Sequence, residues 1–129
     1  MEKQHYTFGK AFREIREKQG ISIREVARKA GKTPPYIWDI EKGNNKPPGK
    51  HLLEELLIAL DLHNERSISD FLFDLAANER GGFPEDIAEY VMNHETLRIL
   101  IRSVQGNEKD EQIWQECLKL ADRKAGTKG

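Results

Sequence analysis

Cysteine, apolar runs and catalytic signatures are the scarce things in this chain. Among 129 residues Cys117 is the single cysteine, so no internal disulfide can form, which suits a reducing compartment. It falls on an apolar helix face and reads as a small buried hydrophobe rather than a redox sensor. No stretch approaches the roughly 20 apolar residues that a membrane-spanning helix needs. No charged-then-apolar leader opens the sequence, so no membrane partner is expected and the expected compartment is the cytoplasm. There is no P-loop, no glycine fingerprint, no HExxH and no paired CxxC. His94 with Asp86, Glu89 and Glu95 is the one acid–histidine grouping, and capping and solvation account for it better than a metal or a reaction does. His5, His51 and His63 have no partners at ligand spacing. The chain is therefore read as not an enzyme, with no metal site and no cofactor. Period-two alternation is missing as well, so no sheet is expected and the fold class is all-α.

Charge is present in quantity and unevenly placed. Charged residues make up 33% of the chain, and the mean hydropathy is −0.74. Residues 1–50 carry 12 Lys or Arg against 6 Asp or Glu, whereas residues 51–129 carry 9 against 16. A net charge of −1 thus hides a basic half suited to phosphates and an acidic half that phosphates repel. Arg24, Arg28, Lys29, Lys32, Lys42, Lys46 and Lys50 crowd around one short stretch, which scattered solvating lysines would not do.

That stretch, residues 22–43, reads SIREVARKAGKTPPYIWDIEKG and spells two helices joined by a turn. Ser22 and Glu25 fit a capping box, and Ile21 with Val26 fits a hydrophobic staple. Ala27 is small enough for a second helix to cross closely. Gly31 stands where the first helix must stop in a left-handed residue. Thr33 caps a new helix and Pro34 takes its first position, where a missing N–H costs nothing. At about 100° per residue, Ile37, Ile40 and the stem of Glu41 fall on one side of the second helix. Pro35, Tyr36, Asp39 and Lys42 fall on the other, toward water or a partner, with Trp38 on the flank.

With FGKAFREIREKQGIS before it and LLEELLIAL after it, the segment over residues 7–62 resembles the helix-turn-helix domain of the lambda-repressor-like (Cro and phage-repressor, xenobiotic-response-element) transcription regulators. The resemblance covers a little under half the chain. It implies that helix 34–42 enters the major groove of double-stranded DNA and that neighbouring loops hold phosphates. It also implies a structural ion pair between Arg16 and Glu41. By position, Ser22, Arg24, Lys32, Asn44 and Lys46 are the expected phosphate contacts, with Ser22 also a cap. Thr33, Pro35, Tyr36 and Asp39 occupy the base-reading and groove-facing places. There the chain departs from the family pattern, which favours Gln, Ser, Asn or Arg. Proline cannot donate, Asp39 repels phosphate unless it accepts from a cytosine amine, and Tyr36 and Trp38 suit thymine methyls, with half-buried core the alternative for Trp38. Shape readout is expected to carry more of the specificity than usual.

Periodicity predicts five helices in the first part, at about 7–19, 23–30, 34–42, 50–60 and from Asn64 onward, with the loop GNNKPPG at 43–49. The expected division is a DNA-binding domain at 1–62 and an acidic helical extension at 63–129. In the extension, Pro84, Glu85 and Asp86 start a helix, Asn93 caps the next, and a third covers about 108–122. Residues 123–129 read as a frayed tail. Three short amphipathic helices bury little alone and are expected to pack on the first domain or on another copy. Leu97, Ile101, Ile113, Trp114 or their neighbours are expected to form either the seam of a homodimer, which would double the contact onto two half-sites, or intramolecular core, and the sequence does not choose between the two. The leading function is thus a homodimeric, sequence-specific repressor. The alternative is an antitoxin-like module whose residues 63–122 clasp a partner protein and whose DNA binding is autoregulatory.

Overall fold

The computed structural model describes residues 6–126, which form eight helices and no strand. They are α1 (Phe8–Lys18), α2 (Ile23–Ala30), α3 (Pro34–Lys42), α4 (Lys50–Ala59), α5 (Arg66–Arg80), α6 (Glu85–Met92), α7 (Glu95–Val104) and α8 (Asp110–Gly126). The all-α expectation holds. His5 and the last three residues of the expected tail lie outside the described residues.

Local chemistry sets most of these bounds. Thr7 Oγ1 accepts from Lys10 N–H at 3.2 Å at the start of α1. Ser22 Oγ accepts from Glu25 N–H at 3.1 Å at the start of α2, satisfying one of the donors that a helix leaves orphaned. The other half of the expected capping box is replaced: the Glu25 carboxylate takes the Arg28 guanidinium one turn on. Thr33 Oγ1 accepts from Tyr36 N–H at 3.4 Å at the start of α3. Helices α2 and α3 stop where Gly31 (φ 68°) and Gly43 (φ 80°) turn left-handed, as glycine does without a Cβ penalty. After α4 the same role falls to Asp61 (φ 60°), with Leu62 N–H bonded to Leu57 C=O at 2.9 Å.

The apolar faces of α1 to α5 meet in one core. Phe8, Phe12, Val26, Ile37, Ile40, Leu53, Leu56, Leu60 and Leu72 are its largest fully buried side chains. Each is worth about 1.5–3 kcal/mol relative to exposure, so the core is what holds the short helices together. Helix α1 packs on α3 and α5, α2 on α3 and α4, and α4 on α5. The α1–α3 crossing is very close at Gly9, where an added Cβ would stand 2.5 Å from both Ile40 O and Glu41 O. Helix α5 also caps α1, since Phe8 N–H donates to Glu79 Oε1 at 2.9 Å.

Leu72, Phe73 and Ala76 of α5 belong to the core cluster, so the first compact unit runs on to Ala88 and the second starts at Glu89. A 62-residue unit would have left that core open on one side. In the second unit, Arg98 Nη1 donates to Val91 O at 3.0 Å, joining α7 to the end of α6. Residue His94, not Asn93, is the N-cap of α7, and its ring stacks on Tyr90 with centroids 3.9 Å apart. Helix α8 continues to Gly126, beyond the expected end near 122, because Arg123, Lys124 and Ala125 are good helix formers. Cys117 is half-buried rather than buried. Leu97, Ile113 and Trp114 are half-buried, while Ile99, Leu100, Ile101, Leu118 and Leu120 are exposed.

Candidate nucleic-acid interface

The candidate edge is drawn from the chain between Ser22 and Lys46, which comprises α2, the turn at Gly31, α3 and the loop that follows. On α3, Ile37, Ile40 and Glu41 are buried, which fixes the helix by its inner side. Its outer side carries Thr33, Pro35 and Trp38, all exposed, with Trp38 at 47%. Asp39 is half-buried. Tyr36, expected to face outward, is also half-buried and packs partly against the core. Around this edge Ser22, Arg24, Lys32, Asn44 and Lys46 are exposed. The structure therefore brings all nine expected contact residues onto α2, α3 and their adjoining turns, with none sealed inside.

Several side chains of the edge hold one another. The Lys32 ammonium lies over the Tyr36 ring at 5.8 Å and the Lys42 ammonium over the Trp38 ring at 5.5 Å, both within cation–π range. Asn44 Nδ2 donates to Asp39 Oδ1 at 3.3 Å, while Asn44 N–H donates to Asp39 C=O at 2.9 Å. The second bond closes the end of α3 and the first orients the carboxylate.

Residues 12–63 match the family model described as Helix-turn-helix. This stretch is a lambda-repressor-like helix-turn-helix domain. Its family is one of DNA-binding transcription regulators. No curated protein and no solved structure matches the chain.

Two buried charges lock the helix-turn-helix domain from behind. Arg16 and Glu41, 8% and 7% exposed, form a two-pronged pair with Nε to Oε2 at 2.7 Å and Nη2 to Oε1 at 3.0 Å. The third prong, Nη1, donates to Ile21 C=O at 2.9 Å, so one guanidinium ties α1 to α3 and to the start of α2. Hydrogen bonding to Glu41 raises the Arg16 pKa above its already high ordinary value, which keeps the pair charged. The expected structural role of the pair thus has its geometry.

Sequence reasoning missed a second basic row. Lys10 and Arg13 of α1 join Lys42, Asn44 and Lys46 in lining a groove of about 570 Å³ beside the loop 43–49. Their three-residue spacing, one turn of a helix, was the available signal. It also missed Arg80, whose guanidinium bonds Pro47 C=O and the Glu85 carboxylate and so steadies that loop from α5. His94 bonds Tyr90 C=O through Nδ1 at 2.6 Å, in line with a structural role. Among the described residues no group of three or more His, Cys, Asp or Glu could hold a metal ion, and no helix is long and apolar enough to cross a membrane.

Proposed function

We propose that the protein is a homodimeric, sequence-specific repressor that acts in the cytoplasm, places α3 in the major groove and occludes promoter DNA. One observation carries this reading: α3 is held from behind by Ile37, Ile40 and the Arg16–Glu41 pair, while Thr33, Pro35 and Trp38 on its outer side are exposed and are flanked in the chain by exposed Arg24 and Lys32 before and Asn44 and Lys46 after. Ser22 and Thr33 sit at helix N-termini, where backbone N–H groups favour phosphate oxygens. Exposed Ile99, Leu100 and Ile101 on α7 and Leu118 and Leu120 on α8 support self-association, because a small soluble unit seldom leaves so many large apolar side chains in water.

The test is a gel shift over a salt series, run beside a mass measurement in solution. Affinity should fall linearly with the logarithm of salt, with a slope of about −0.9 for each phosphate neutralised. The Arg24→Glu/Lys32→Glu double variant should weaken binding to every duplex, with a shallower slope. Unchanged binding in that variant would exclude the α2–α3 edge. A monomer mass with DNA binding intact would turn the apolar row toward a partner protein, the antitoxin-like alternative.

A further inference from the structure

The outer edge of α3 has an unusual chemistry for reading bases. Between Thr33 and Lys42 there is no Arg, Asn or Gln, the side chains that grip guanine or adenine edges with two parallel bonds. What the edge offers is one carboxylate, from Asp39, and apolar surface from Pro35, Tyr36 and Trp38. An ionised carboxylate only accepts. In the major groove, guanine O6 and N7 and thymine O4 are acceptors and repel it. Adenine offers an amine, but beside the N7 lone pair. Cytosine offers its N4 amine with no acceptor next to it on that edge. The Asn44 amide holds Asp39 Oδ1 at 3.3 Å, which fixes the carboxylate and leaves its other oxygen for an incoming donor. Lys32 and Lys42, held over the Tyr36 and Trp38 rings, add positive charge to this stretch and offset the repulsion between the Asp39 carboxylate and the DNA backbone.

We propose that this surface reads pyrimidine edges: Asp39 accepts from a cytosine N4 amine, while Pro35, Tyr36 and Trp38 pack against the 5-methyl groups of neighbouring thymines. The half-site is then a short run of cytosine and thymine on one strand, recognised by acceptance and by methyl contact instead of by donation to purines. This rests on the major-groove reading given above.

The full chain is used to select from a randomised duplex library at low salt, and the recovered site is remade with uracil in place of thymine, which removes only the methyl groups. The selected half-site should hold cytosine beside thymine, and each contacted methyl lost should weaken binding about three- to fourfold, the equivalent of one buried methylene-sized group. Asp39→Asn should move the preference at the cytosine position to adenine, because an amide can donate to N7 and accept from N6 at once. The uracil substitution leaves the protein untouched, so it reports even if that variant is poorly folded. A recovered site indifferent to uracil, with the same base preferred by Asp39→Asn, overturns the pyrimidine code and leaves the DNA-binding reading standing. Failure to recover any site, with no salt-dependent retention of duplex, overturns both.

Discussion

Replacing Glu41 with leucine should cost the protein a large share of its stability. Arg16 is 8% exposed, and its guanidinium has three close protein partners, two of which are the Glu41 oxygens at 2.7 and 3.0 Å. Without Glu41, a buried cation keeps only the Ile21 carbonyl. Breaking such a pair from one side costs about 3–5 kcal/mol. A small domain holds about 5–15 kcal/mol in all. Urea unfolding followed by helical circular dichroism should therefore show a midpoint lowered by about a fifth or more, with the slope preserved. Arg16→Met should lose a similar amount, since it strands the carboxylate. The double variant Arg16→Met/Glu41→Leu removes both charges and refills the volume with apolar atoms. It should recover most of the loss and remain below the native protein by about 1 kcal/mol, the bond to Ile21 C=O having no replacement. Additive losses in the double variant, or a single-variant loss under about 1 kcal/mol, would refute the view that the pair is desolvated and tightly coupled.

Two other perturbations test the packing. Gly9→Ala should destabilise by about 1–3 kcal/mol in the same assay, because the new methyl meets the Ile40 and Glu41 carbonyl oxygens. Helix propensity alone predicts the opposite sign by about 1 kcal/mol, so a more stable variant would show the crossing to be looser than described. Asp86 concerns pH: its Oδ1 is buried without a hydrogen-bond partner, and burial, with Asp70 and Asp74 adding to it, raises its carboxyl above the ordinary range. A raised folded-state pKa contributes stability below the ordinary aspartate value, and that contribution is lost as pH climbs through the raised value. Asp86→Asn should accordingly melt above the native protein at pH 7, with the advantage disappearing on acidification below the ordinary aspartate range. A gain independent of pH would count against desolvation as the cause.

The parts of the fold that were legible in the sequence are those written in neighbouring residues. Ser22, Gly31, Thr33 and Gly43 act within one turn of where they stand, and α2 and α3 begin and end where those residues put them. The inner face of α3 was legible because Ile37, Ile40 and Glu41 share a helical stripe. Interactions across long separations left no local trace. Nothing near Phe8 announces Glu79 as its cap, 71 residues away, and nothing near Pro47 announces Arg80. The place of α5 in the first core was hidden for the same reason, since its apolar face shows periodicity but not which core it completes. Asp61 went unnoticed because aspartate enters the left-handed region less often than glycine does. Tyr36 was assigned by angle alone, whereas a long ring can lean back onto the core from a position that faces outward.

The neighbours that a larger side chain at position 9 would strike are main-chain oxygens, and every amino acid carries one. Trimming residue 40 or 41 therefore makes no room. A designer who wants to keep this arrangement of the first and third helices has freedom over nearly all their surface letters but none at that spot, and a relative bearing anything bulkier there must set the two rods farther apart and reposition whatever the third one touches.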